Sequence, residues 1–242
     1  MNGQAKPLVV MLIPAFNEEN KIERAIGNIA LKQRFELKEF DVKIAVVNDG
    51  STDRTREAAL RANAEVLTLP KNMGKAYAAM YGIKHFSKLK PSAILLCDAD
   101  VWSIKGKVVK KMITESLAYA APAMVQAVQR EDNQPTFMRD YAGFRCFNSA
   151  AIAKLASLNY HHFRRERRHS TPGFGLEEFF RQYMNSLRES TVINLTQKDG
   201  FFQTSSPWRS NQDNYRLQHE EIPRAKAKME RILGRIRRTP HH

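Results

Sequence analysis

Short apolar runs alternate with longer amphipathic stretches over about the first hundred residues. Leu8 to Ile13, Asp41 to Val47, Val66 to Leu69 and Ala93 to Cys97 are too short for helices and rich in aliphatic side chains, which suits buried strands. Between them Ile22, Ile26 and Ile29, then Ala58, Ala59 and Ala62, then Ala76, Ala79, Met80 and Ile83 recur at helical spacing. Strands alternating with helices of this length predict βαβ units, hence an α/β fold with a mostly parallel central sheet flanked by helices. Asn17 is expected to cap the first helix, with Glu18 and Glu19 in its first turn, and Ser51 or Thr52 to cap the second.

The second half is less regular. Val108, Met112 and Ile113 indicate a helix, Ala123 to Val128 a strand leading into Arg130, and Ala150 to Leu158 another helix. Tyr160 to Gly175 reads as a loop dense in Arg164, Arg165, Arg167 and Arg168, either a lid over phosphate or a solvated basic segment. Phe179, Phe180 and Met184 lie on a helix, and Thr191 to Leu195 is a late strand. From Ile222 onward, Ile222, Ala225, Met229, Ile232, Leu233 and Ile236 recur at helical spacing, with Lys and Arg on the opposite face. Such a helix either lies on an anionic bilayer or packs its apolar face on the domain.

The chain has 242 residues and 43% hydrophobic content, enough for one domain with a sizeable core. Its net charge of +14 favours an anionic partner: nucleotide phosphates, nucleic acid or an anionic membrane surface. The basic residues gather late in the chain and form no recognised nucleic-acid motif, so nucleic acid is not the expected partner. Cys97 and Cys146 stand at no metal-ligand spacing, and Cys97 sits inside an apolar strand, as a core residue would. No run approaches the ~20 apolar residues of a membrane span. Leu8 to Ile13 is too short for a signal sequence, so the expected location is the cytoplasm, free or peripheral at the inner face of the membrane.

The candidate chemistry centres on Ala93-Ile94-Leu95-Leu96-Cys97-Asp98-Ala99-Asp100, an apolar strand ending in two carboxylates. Side chains two apart on a strand face the same way, and open α/β sheets bind ligands at that end. Asp98 and Asp100 would repel unless a hard cation lay between them, and a phosphate-bearing ligand is its natural companion; otherwise one of them caps the next helix. Glu18 and Asp49 follow the first two strands, where a carboxylate either accepts from a nucleobase or ribose or serves only a helix dipole and a turn. Neither a P-loop nor a G-x-G-x-x-G follows the first strand.

Ile13-Pro14-Ala15-Phe16-Asn17-Glu18-Glu19, Val47-Asn48-Asp49-Gly50-Ser51-Thr52-Asp53, Asn72-Met73-Gly74-Lys75 and Asp98-Ala99-Asp100 together resemble the family 2 inverting glycosyltransferases of the GT-A fold. The resemblance implies that Pro14, Phe16, Glu18 and Asp49 hold the base and ribose of a nucleotide-sugar. Lys75 is a further nucleotide-sugar-binding candidate, and Arg130, at a strand end, either touches the diphosphate or is a solvated surface arginine. It implies that Asp98 and Asp100 bind a bridging Mg²⁺ or Mn²⁺. Ala142 to Phe147 and the helix after it are similar to polyprenyl-phosphate sugar synthases of the same family. Those enzymes often carry Gln two positions after the second aspartate, where this chain has Trp102, which cannot ligate a metal. Gly173-Phe174-Gly175-Leu176-Glu177-Glu178 resembles the family's acceptor motif, with Glu178 in the position of the catalytic base. Successive helical residues differ by ~100° in direction, so only one of Glu177 and Glu178 can face the sugar.

The expected organisation is a single glycosyltransferase domain over residues 1–215. Residues 1–103 would bind the nucleotide-sugar and 104–215 the acceptor, with a basic amphipathic tail over 216–242. The expected activity is metal-dependent transfer of a hexose, from a UDP-sugar or GDP-mannose, to a glycan, lipid-linked or polyprenyl-phosphate acceptor. The alternatives are a nucleotidyltransferase, whose usual G-x-G-T-R-type loop is absent, and a non-catalytic nucleic-acid- or membrane-binding protein on the same fold.

Overall fold

A computed structural model describes residues 5–99, 105–127, 143–164, 174–195 and 222–238. The first four strands are β1 (Leu8–Ala15), β2 (Asp41–Asn48), β3 (Glu65–Thr68) and β4 (Ala93–Cys97). The later ones are β5 (Ala123–Ala127), β6 (Phe144–Asn148) and β7 (Thr191–Leu195). They form a seven-stranded sheet in the order β3-β2-β1-β4-β6-β5-β7. All pairs are parallel except those of β6, which runs antiparallel to β4 and β5.

Central strands read as continuous apolar runs because both faces are covered. On β1, Val9, Met11 and Ile13 enter one core and Val10 and Leu12 the other. The first core is closed by α1 (Glu19–Glu36), α2 (Thr55–Arg61) and α4 (Gly106–Leu117). The second is closed by α3 (Lys75–Phe86), α5 (Ser149–Ser157), α6 (Phe174–Ser186) and α7 (Ile222–Arg238). Between α5 and α6, where a loop was expected, Tyr160–Phe163 form a 3₁₀ turn that buries Phe163. Cys97 and Cys146 are buried free thiols; burial pushes Cys146 up to about 12, so it stays protonated.

The helix starts differ from expectation in an instructive way. Asn17 does not cap α1; it sits at φ 55°, its amide donating to Ser51 Oγ at 3.0 Å and its Oδ1 accepting from the Thr52 amide at 3.0 Å. Asp53 supplies the cap instead, accepting from the Glu19 amide at 3.2 Å and, at the start of α2, from the Thr55 amide at 3.0 Å. Glu19 returns the favour by accepting from the Arg54 amide at 2.9 Å. Two helix N-termini thus satisfy one another, and the loops after β1 and β2 are locked side by side.

Candidate active site

The direction of winding reverses between β1 and β4, and the crevice at the carboxyl ends of those strands is where such sheets take ligands. A cleft of about 330 Å³ opens there. Pro14, Phe16, Glu18, Asp49, Lys75 and Asp98, six of the residues expected from the sequence, line it together. Phe16 is 40% exposed, a flat apolar face left open to the cleft. Asp100, Arg130 and Trp102 lie outside the described residues, as does the side chain of Glu178.

Asp49 is almost fully buried. Its Oδ1 accepts from the Met73 amide at 2.7 Å and its Oδ2 from the Gly74 amide at 2.8 Å. Gly50, at φ 66°, has its missing Cβ position 2.3 Å from the Lys71 carbonyl carbon, so no other residue fits. The β2 loop therefore fixes the turn that launches α3. Asp49 both lines the cleft and sets the starting point of Lys75.

Lys75 occupies the first turn of α3, where a cation opposes the helix dipole. Two carboxylates hold it there. Its Nζ lies 2.7 Å from Asp98 Oδ1 and 3.7 Å from Glu177 Oε1, while Arg145 Nη1 stands 3.8 Å from the same Glu177 oxygen. Burial, the largest influence, pulls the Lys75 ammonium down. The charges of Asp98 and Glu177 and the bond to Asp98 outweigh it, so the pKa is raised and the lysine stays charged. The result is a row of alternating charge from Arg145 through Glu177 and Lys75 to Asp98.

Arg145 was not singled out from the sequence as a site residue. It is 2% exposed, on β6 opposite Leu96 and Gln126. Its Nε and Nη2, and Glu177 Oε2, have no hydrogen-bond partner among the described residues. A buried guanidinium with unused donors is an anion site in chemical character. The available signal was an arginine within an otherwise apolar strand run. Glu177, the alternative to Glu178 for the base, is the acid seen in the cluster.

At this corner a divalent cation would share Asp98 with the Lys75 ammonium, 2.7 Å from its Oδ1. Asp98 offers a hard carboxylate oxygen at the cleft, and Gly143 leaves room for it: a Cβ there would stand 2.6 Å from Asp98 Oδ2. Among the described residues no group of three or more His, Cys, Asp or Glu side chains is placed to hold a metal. Ligands from phosphate oxygens would have to complete the shell, as is common for Mg²⁺.

This architecture is that of the GT-A glycosyltransferases. Glucosyl-3-phosphoglycerate synthase from Mycobacterium tuberculosis, in complex with Mn²⁺ and uridine-diphosphate-glucose, matches over 93% of this chain and 79% of that chain, with a TM-score of 0.63 and 17% identity. Its complex that also holds phosphoglyceric acid gives 0.64 over 93% and 80%. At that identity the likeness is one of fold. The chain itself belongs to the glycosyl transferase family 2, whose model matches residues 11–174. A dolichyl-phosphate beta-glucosyltransferase (ALG5A) of Trichomonas vaginalis is 36% identical over 98 residues, 37% of this chain and 29% of that protein. The 4,4'-diaponeurosporenoate glycosyltransferase of Staphylococcus aureus is 32% identical over 120 residues, 48% of this chain and 29% of that protein. The match thus spans about three-tenths of the length of these curated relatives.

Proposed function

We propose that the protein transfers glucose, with inversion, from UDP-glucose to a phosphate oxygen of a polyprenyl-type lipid phosphate, with Mg²⁺ or Mn²⁺ bound at Asp98 and Asp100. The observation that carries this reading is the convergence of Phe16, Glu18, Asp49, Lys75 and Asp98 on one cleft at the switch point of the sheet. Phe16 provides a face for the base, Glu18 and Asp49 provide acceptors, and Lys75 and Arg130 provide cations for the diphosphate. The metal, when bound, supplies charge stabilisation for the departing diphosphate. The donor is supported by the fold neighbour that holds uridine-diphosphate-glucose and Mn²⁺, and the acceptor by the dolichyl-phosphate relative.

Arg145 favours an anionic acceptor, because its buried unused donors call for oxygen acceptors in the half of the sheet beyond β4. The acceptor oxygen attacks the anomeric carbon as the bond to the diphosphate breaks, and UDP departs. A phosphate acceptor has no proton to lose. A hydroxyl acceptor would need a base, the role expected of Glu178 or Glu177. A lipid acceptor also brings the protein to an anionic membrane surface, toward which the exposed Arg231, Arg235 and Arg238 of α7 are suited.

The test is incubation with radiolabelled UDP-glucose, Mn²⁺ and a polyprenyl phosphate in detergent. The expected outcome is a lipid-extractable β-glucosyl phosphate that fails to form with Asp98→Asn. Metal-independent transfer, an α-linked product, or no transfer from UDP-glucose to lipid phosphate would overturn the proposal.

A further inference from the structure

The donor corner of the cleft contains a positive charge of the protein's own at the place where a metal would go. Lys75 Nζ lies 2.7 Å from Asp98 Oδ1. The backbone just before it is pinned by Asp49 through the amides of Met73 and Gly74, so the root of the side chain is fixed and only its flexible stem can move. Within reach of that stem is a second carboxylate, Glu177, whose Oε1 lies 3.7 Å from Lys75 Nζ and 3.8 Å from Arg145 Nη1. Both lysine and Asp98 side chains are about a quarter exposed, so the pair faces the cleft rather than the core.

We infer that Lys75 is a resident counter-ion that closes the cation site at Asp98 until a diphosphate draws it away, so that metal and nucleotide load together. This rests on the donor site proposed above. A divalent ion approaching Asp98 alone meets an ammonium already within hydrogen-bond distance of its ligand oxygen, and two positive centres on one carboxylate repel. A diphosphate arriving with the ion offers Lys75 new anionic oxygens. Glu177 keeps the lysine neutralised while it changes partner. Gly143, whose missing side chain leaves the Asp98 carboxylate uncrowded, gives room for the exchange. In energetic terms the empty site stabilises one ion pair and the loaded site another, and the difference is a coupling between Mn²⁺ and nucleotide that neither ligand has alone.

The test is Mn²⁺ binding to the full chain, followed by the electron paramagnetic resonance of the free ion, with and without UDP. The chains compared are the wild type, Lys75→Gln, Lys75→Met, the double variant Lys75→Gln/Asp98→Asn, and Lys21→Gln. Lys21 is the control because it pairs with Glu18, at 3.0 Å, on another side of the same cleft. Without nucleotide, both Lys75 single variants should bind Mn²⁺ roughly tenfold tighter than the wild type, a size typical of such couplings. The gain that UDP confers should shrink accordingly, the double variant should lose the improvement, and Lys21→Gln should match the wild type. If a wild type that binds UDP and Mn²⁺ together shows no tighter Mn²⁺ binding in either Lys75 variant, this inference alone falls. An equal gain in Lys21→Gln would also overturn it, since the effect would then be one of net charge. A wild type that binds neither UDP nor Mn²⁺ would sink the inference and the donor-site reading together.

Discussion

Gly143 is a glycine because Asp98 fills the space its side chain would need. A Cβ at 143 would meet Asp98 Oδ2 at 2.6 Å, Cγ at 2.7 Å and Cβ at 2.9 Å. The last of these cannot swing aside as a side-chain tip does, so Gly143→Ala must shift the whole aspartate. We expect a fold cost of about 1–3 kcal/mol from overpacking. The larger effect should be on the ligand, with at least a tenfold loss in affinity for UDP plus Mn²⁺, read by calorimetry and by a smaller ligand-induced rise in melting temperature. An affinity unchanged from wild type would mean that Asp98 does not hold the ligand. Asp98, Lys75 and Phe16 were legible in the sequence because each belongs to a short motif at a strand end or turn. Gly143 and Arg145 were not, because their roles come from β6 lying antiparallel beside β4, a contact between distant parts of the chain. Asn148 was missed for the same reason. It caps α5 through the Ala151 amide and also serves the Ala123 amide and the carbonyls of Tyr119 and Ala121.

Elements were easier to read than their ends. Apolar runs located β1 to β5 and β7; β1, β4 and β5, covered on both faces, leave the most continuous signature. The direction of β6 left none, because Phe144 to Asn148 would look alike in either sense. Capping by a neighbouring polar residue is a local rule, whereas here the capping carboxylate of α1 comes from the loop before α2. That exchange gives a pH prediction. Burial, the largest influence on Asp53, disfavours its charge, but hydrogen bonds from the Thr55 hydroxyl and amide and from the Glu19 amide outweigh it and hold its pKa below the ordinary aspartate value. A folded-state pKa that is lowered gives stability present above the unfolded value, about 4. It is lost as pH falls through the folded value. Asp53→Ala should therefore destabilise by about 1–2 kcal/mol at neutral pH, the size of a lost cap. Urea melts should show that gap narrowing below pH 4; a gap that is constant or wider at pH 3 would contradict the assignment.

Over the whole molecule, the sequence left open what the basic amphipathic helix α7 does with its apolar side. Ile232, Leu233 and Ile236 are buried in the second core, against α6, while Arg231, Arg235 and Arg238 remain exposed. Those apolar side chains are therefore committed to the fold and not available to enter a bilayer. Attraction of a membrane through the exposed arginines is electrostatic, and so sensitive to salt within a Debye length of ~10 Å at 0.1 M. No helix among the described residues is long and apolar enough to cross a membrane. The two faces of α7 then separate cleanly by mutation. Leu233→Ala should cost about 3 kcal/mol, as for other buried leucines. For a chain of this size that lowers the melting temperature by roughly 6–12 °C. It should leave vesicle binding at permissive temperature unchanged. Reversing Arg231 and Arg238 to Glu should do the opposite, sparing the melting temperature to within ~2 °C while abolishing flotation with phosphatidylglycerol vesicles at low salt. Were Leu233→Ala to lose flotation at full stability, the apolar face would have to leave the core to reach lipid, and α7 would be a membrane anchor instead of a wall of the domain.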